Sequence, residues 1–198
     1  MTEHPNSIEL WMVNEDLSAY PRIAPPRGYT IRRWTPSDVD VWIRIWAHAD
    51  HSDRFTPALF HDQFGADPRV LVQRMLFLCD SAGSPVGTAA AWFIDLPGQE
   101  SWGRVHWIAI DPSHQRKGLA RPLLSACCRR MHELGHPHTQ LSTDSFRLPA
   151  INLYLNCGFL PDIRTAEQKR VWRNILQELP AHAGAACRYD RYQQSPVE

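Results

Sequence analysis

Residues 108–131, "IAIDPSHQRKGLARPLLSACCRRM", constrain the fold more than any other stretch: a short apolar run, a turn and a glycine lead straight into an amphipathic segment. A strand–turn–helix junction of this kind leaves backbone N–H groups without intrahelical partners, and the helix dipole adds partial positive charge at the same end. With Gln115, Arg116 and Lys117 directly before Gly118, the junction is prepared for an anion, most often phosphate. Gly118 lets the backbone approach a ligand closely, and Ala120 keeps the first turn narrow. The chain contains neither G-x-x-x-x-G-K-[ST] nor G-x-G-x-x-G, so this is not a Walker loop or a dinucleotide fingerprint. Taken alone, Q-x-x-G-x-A reads equally well as an ordinary strand-to-helix turn. The helix is expected over 118–133, with Leu119, Leu123, Cys127 and Met131 packed and Arg121, Ser125, Arg129, Arg130 and Glu133 available to water. Pro122, placed beyond a first turn beginning at Gly118, is expected to remove a ladder hydrogen bond and distort the helix start.

The chain has 198 residues, enough for one well-buried domain. Lys plus Arg and Asp plus Glu number 21 each, so no global field draws the protein to nucleic acid or an anionic membrane, and phosphate binding has to be local. The N-terminal "MTEHPNSIEL" lacks the pattern of a secretory signal, and no apolar run approaches the roughly 20 residues needed to cross a bilayer; a cytoplasmic protein is expected. The five cysteines, Cys79, Cys127, Cys128, Cys157 and Cys187, form no C-x-x-C pair and read as reduced small hydrophobes.

Residues 1–27 are expected to form an N-terminal arm with one strand candidate, Ile8 to Val13, followed by the proline-rich "YPRIAPPRG". Then "YTIRRW" alternates as a strand. Thr35 caps a helix predicted at 36–48, in which Val39, Trp42, Ile43 and Trp46 form an apolar stripe. Short helices broken near Gly65 and Pro68 cover 57–73, and "RMLFLCD", "SAGS" and "PVGTAAAWFI" read as a hairpin. After the loop "DLPGQESWG" and the strand "RVHWIAI" come the 118–133 helix, the strand "HTQLSTD", a helix over 148–157 and a strand from Gly158-Phe159. A helix over 166–180 is expected to pack on the domain, with a flexible tail over 181–198. Hairpin strands followed by alternating helices and strands indicate a mixed-sheet α/β fold.

A second informative stretch is "LPAINLYLNCGFLPD", a helix ending at Gly158. Leu148, Ile151 and Leu155 share a face, and Tyr154 lies about 60° from Ile151, so its hydroxyl can reach a cleft or be satisfied in the core. Together and in this order, the two stretches resemble the GNAT superfamily of acyl-CoA-dependent N-acyltransferases over residues 28–165. The resemblance implies a largely antiparallel mixed sheet, with a splayed parallel strand pair and flanking helices. It implies that Gln115, Arg116, Lys117, Gly118, Leu119 and Ala120 hold the pyrophosphate of acetyl-CoA, and that Ile108, Ala109 and Ile110 pair with its pantetheine arm. It also implies that Tyr154 protonates the departing thiolate. Ala120 stands where the family often has glycine, and Arg147 where it often has asparagine seven residues before the tyrosine. Thr143 and Asp144, at the end of the next strand, are further cleft candidates by location.

An alkyl amine with a pKa near 10 has to lose a proton before it can attack a thioester. His106, four residues before Ile110, is the candidate base by resemblance to aralkylamine-acetylating members, and a packed strand histidine is the alternative. Glu100, acting directly or through a water chain, is the second candidate base. His48 with His51, and His132 with His136 and His138, stand at no recognisable ligand spacing, so no metal is expected. The chain is therefore expected to acetylate a primary amine by direct attack in a ternary complex, with a small molecule as partner, no nucleic acid or membrane, and homodimerisation left open. The alternatives are a non-catalytic acyl-CoA sensor and a protein-modifying acetyltransferase. Trp42, Trp46 and Trp102 point faintly to an aromatic or hydrophobic acceptor.

Overall fold

A computed structural model of the protein describes residues 7–94, 101–179 and 181. Its seven strands belong to a mixed sheet, mostly antiparallel with one parallel pair, flanked by six helices. The described residues divide into two compact units, one within 16–139 and the other combining residues 7–15 with those from 140 onward.

The first unit contains strands β2 (Thr30–Arg33), β3 (Met75–Cys79), β4 (Pro85–Phe93) and β5 (Trp102–Ile110), with helices α1 (Asp38–Asp50), α2 (Pro57–Phe64), α3 (Pro68–Arg74) and α4 (Ala120–Glu133). The four strands are neighbours in the order β2-β3-β4-β5, each pair antiparallel. Local chemistry sets the helix starts. Thr56 accepts from Leu59 N ahead of Pro57, and Asp67 accepts from Arg69 N ahead of Pro68. Helix α1 begins at Asp38 rather than at Pro36, because the buried Asp38 carboxylate takes Thr35 N (2.6 Å) and both Nη atoms of Arg32 (2.6 and 2.7 Å), tying Thr35–Ser37 into a turn. Trp42, Trp46, Phe55, Phe60, Phe64, Phe77 and Ala109 form an aromatic-rich core under α1 and α2.

Helix α4 covers the opposite side of β4 and β5 through Leu119, Leu123, Cys127 and Met131, all at most 2% exposed. It approaches so closely that a Cβ at Gly103 would sit 2.6 Å from Met131 Sδ. Two expectations change here. Helix α4 starts at Ala120, so Pro122 occupies the first turn, where its missing N–H forfeits no ladder bond. Ser125 does not face water: it is 1% exposed, accepts from Ile23 N (3.1 Å) and donates to Pro21 O (2.5 Å), which seats the proline-rich segment on the helix.

The second unit contains β1 (Glu9–Asn14), β7 (Leu160–Asp162), helices α5 (Leu148–Asn156) and α6 (Ala166–Glu178), and all but the first two residues of β6 (His138–Asp144). Its strands run β6-β1-β7, with β1 antiparallel to β7 from Trp11↔Asp162 to Val13↔Leu160. The N-terminal strand candidate is thus a sheet strand paired with the C-terminal part of the chain. Thr165 caps α6, and Gln168 Nε2 donates to Glu9 O (2.8 Å), fastening the helix to β1. The predicted tail lies outside the described residues apart from Ala181, as does Cys187.

Candidate active site

Strand β5 is not regular where it matters. His106 opposes Ala90 and Ala109 opposes Thr88, so Trp107 and Ile108 together face the single residue Ala89, and Trp107 takes the left-handed φ of +50°. This is a β-bulge, which re-aims side chains. Strict alternation would put His106 and Trp107 on opposite faces; the bulge turns both toward the α1–α2 layer. There His106 lies 5.4 Å from the ring of Phe64 and 5.8 Å from Trp107, and Trp107 packs edge-on against Trp46 at 4.7 Å and Trp42 at 5.4 Å. Trp107 Nε1 donates to Gln63 Oε1 (3.0 Å). Desolvation in this setting, with a smaller repulsion from Arg104, pushes the His106 imidazole down to about 3.

The strand ends in the predicted anion loop. Asp111 N donates to Val86 O (2.8 Å), Pro112–His114 make a 3-10 turn, and Gln115 Nε2 donates to Ile110 O (3.0 Å). Gln115 thus braces the loop against the end of β5. Arg116 (φ +59°) and Gly118 (φ +73°) are left-handed on either side of Lys117, the kind of alternation that gathers backbone amides into an anion-binding concavity. A Cβ at Gly118 would meet nothing within 4 Å, so the loop backbone borders open space. The N-cap of α4, Leu119, offers no side-chain acceptor, which leaves the first-turn amides of α4 to another partner. Ile108, Ala109 and Ile110, Gln115 to Ala120 and His106 all lie in the first unit. Glu100 lies outside the described residues.

Tyr154 belongs to the second unit, on α5, where it is 6% exposed with its ring 6.0 Å from Phe159. Asp144 Oδ1 accepts from Ser7 Oγ (2.9 Å) and Oδ2 lies 3.5 Å from Arg147 Nε, so this cleft candidate is engaged locally. Thr143 is half-buried. The buried Cys127 thiol is raised by desolvation, as is Cys79, which removes both as nucleophiles. Among the described residues no group of three or more His, Cys, Asp or Glu could hold a metal ion.

One pair escaped the sequence reading. His48, on the last turn of α1, places Nδ1 2.9 Å from Oδ2 of Asp111 at the start of the anion loop. These residues lie 63 positions apart, and nothing in local spacing signals the contact.

Comparison with known proteins agrees with the strand-and-loop geometry. The sequence model of the Acetyltransferase (GNAT) family matches residues 31–159. A mycothiol acetyltransferase of Thermomonospora curvata is 30% identical over 145 residues, covering 72% of this chain and 48% of the relative. One from Acidothermus cellulolyticus is 31% identical over 166 residues, covering 76% and 50%. The chain therefore spans about half the length of these curated relatives. Among solved structures, a GCN5-related N-acetyltransferase from Sphaerobacter thermophilus shares the fold with a TM-score of 0.65 at 19% identity, over 78% of this chain and 48% of that one. A putative acetyltransferase from Salmonella typhimurium, solved with its cofactor acetyl-CoA, does so with a TM-score of 0.56 at 23% identity, over 67% and 79%. With most of the first unit and the Tyr154 helix inside the matched span, the chain belongs to the GNAT acetyltransferase family.

Proposed function

We propose that the chain transfers the acetyl group of acetyl-CoA to the primary amine of a small molecule, by direct attack within a ternary complex. The observation that carries the proposal is the loop from Gln115 to Ala120, with its left-handed Arg116 and Gly118 leading into a helix start without a side-chain cap. Such a start suits a diphosphate. Acetyl-CoA in the Salmonella typhimurium structure supports the co-substrate, and the mycothiol acetyltransferase relatives support a small-molecule acceptor. Ile108 to Ile110 are the proposed backbone partners of the pantetheine arm.

In the proposed reaction the amine nitrogen attacks the thioester carbonyl, the C–S bond breaks, the thiolate takes a proton from Tyr154, and the tyrosinate regains one from the nitrogen of the new amide. The ammonium proton goes first to His106 or, directly or through water, to Glu100. His106 enters neutral at pH 7, with lone-pair capacity but little basicity in the ligand-free protein. Its assignment as base therefore requires that substrate binding restore basicity. The buried Cys127 and Cys128 thiols give no support to a covalent acetyl-enzyme.

The test is binding followed by turnover. Wild-type protein with CoA should show a saturable rise in Tm, and acetyl-CoA with an amine library should release free CoA with some member. Gly118→Glu should remove the shift by setting a carboxylate where the diphosphate lies; Gly118→Ala, which carries the same left-handed strain without the charge, should keep most of it. Equal binding by Gly118→Glu would move the cofactor away from this loop.

A further inference from the structure

Asp111 is a carboxylate in an awkward place. It is 7% exposed and lies four residues before Gln115, at the mouth of a loop that has to receive an anion. Its Oδ1 is occupied by Ser113 N (3.0 Å) and Ser113 Oγ (2.6 Å), which shape the turn, and its own carbonyl accepts from His114 N (2.8 Å). Its Oδ2 accepts from His48 Nδ1 at 2.9 Å. Although burial opposes the charge, the hydrogen bonds of Ser113 and His48 hold the carboxyl below its ordinary value, so it is ionised at neutral pH. An ionised carboxylate only accepts; His48 Nδ1 is therefore the protonated ring nitrogen. The helix that delivers His48 is itself fixed on β5, through Trp42 and Trp46 against Trp107. The histidine side chain is 55% exposed, so α1 rather than burial of the ring gives the bond its geometry.

We propose that His48 is a positioning residue for the cofactor loop: from the last turn of α1 its Nδ1–H holds the Asp111 carboxylate, keeps that charge turned from the diphosphate, and presents Gln115 to Ala120 in the binding shape. The proposal rests on the reading of that loop as the acetyl-CoA site. His48 touches neither acetyl-CoA nor the amine; it acts through Asp111. Its loss should therefore weaken cofactor binding and leave the chemical step intact.

Calorimetric titration of the full chain with CoA tests this, alongside steady-state kinetics at saturating amine. His48→Ala should raise the Kd for CoA and the KM for acetyl-CoA about fivefold, the scale of one partly exposed hydrogen bond to a charged group, with kcat within twofold. His48→Asn, whose Nδ2 can take the place of Nδ1 in the bond to Asp111, should restore both to within twofold. Because both partners act as a unit, His48→Ala combined with Asp111→Asn should bind CoA no worse than Asp111→Asn alone. Circular dichroism confirms that each variant is folded. Wild-type affinity in His48→Ala, a loss in kcat rather than KM, or equal damage by Ala and Asn would each overturn the positioning role. If the wild type itself fails to bind CoA, the cofactor reading of the loop falls, and the positioning role with it.

Discussion

His106 shows how environment decides what a residue type can do. An imidazole pushed down to about 3 is neutral in the folded protein over the whole range in which the unfolded chain, with a histidine pKa near 6.5, takes up a proton. Stability from this group is therefore complete above about pH 6.5 and is lost as pH falls toward 3, because only the unfolded state binds the proton. We expect the Tm of the wild type to fall between pH 7 and 4.5, and the fall to be smaller in His106→Gln, which cannot titrate. Identical pH profiles for the two proteins would show that His106 is not desolvated in solution. His136, also lowered by burial, pushes in the same direction, as do the lowered carboxyls of Asp38 and Asp111 at the acid end. For activity, a His106 limb of kcat/KM in the free enzyme lies near pH 3, so a limb at neutral or alkaline pH should move with the pKa of the amine used. A limb between pH 6 and 7 that stays put across amines would point to Glu100 or to another group. Tyr154→Phe should lower kcat by about 10²-fold, as expected for a positioned acid, with the Kd for CoA nearly unchanged. A loss confined to CoA affinity would give Tyr154 a binding role instead.

At the scale of elements, packing is what separates the legible from the illegible. The hairpin of β3 and β4, the breaks at Gly65 and Pro68 and the strand at 138–144 follow from apolar runs and turn residues that act within a few positions, so they stand in the structure close to where the sequence puts them. The bulge at Trp107 does not: "RVHWIAI" reads as an ordinary strand, and only the register against β4 shows that one residue too many is present. The loop motif from Gln115 to Ala120 could be read because its glycine and basic residues are contiguous, whereas the His48–Asp111 pair joins distant segments. Ser125 departs from its expected exposure for a similar reason. Its place on the polar arc of α4 is correct for an isolated helix, but the segment around Pro21 and Ile23 covers that arc. Ser125→Val should leave Ile23 N and Pro21 O without this partner and destabilise the protein by about 1–3 kcal/mol. Denaturant titration measures the loss, and cleavage near residues 20–27 by a low level of protease should accelerate. Unchanged stability and unchanged cleavage would mean that water replaces the hydroxyl at no cost.

For the molecule as a whole, equal numbers of acidic and basic residues mean that the net field gives no attraction for a polyanionic cofactor, and in the proposed site that attraction comes from the loop amides, Arg116 and Lys117. Affinity concentrated in one loop has a thermodynamic consequence. If CoA binds the folded chain and not the unfolded one, stability rises by about 2.7 kcal/mol at a ligand concentration of 100 times Kd, whatever the details of the contacts. For a chain of 198 residues each kcal/mol moves Tm by about 2–4 °C, so the expected shift is about 5–11 °C and grows with the logarithm of CoA concentration. The same relation makes the loop variants quantitative. A fivefold weaker Kd, as for His48→Ala, displaces the curve of Tm against log concentration by a factor of five without changing its limiting slope, whereas Gly118→Glu flattens the curve. Differential scanning fluorimetry over a thousandfold range of CoA distinguishes these shapes. A shift that saturates at a fixed value as CoA increases would show that the unfolded chain binds CoA too, and Tm would then no longer report on the loop.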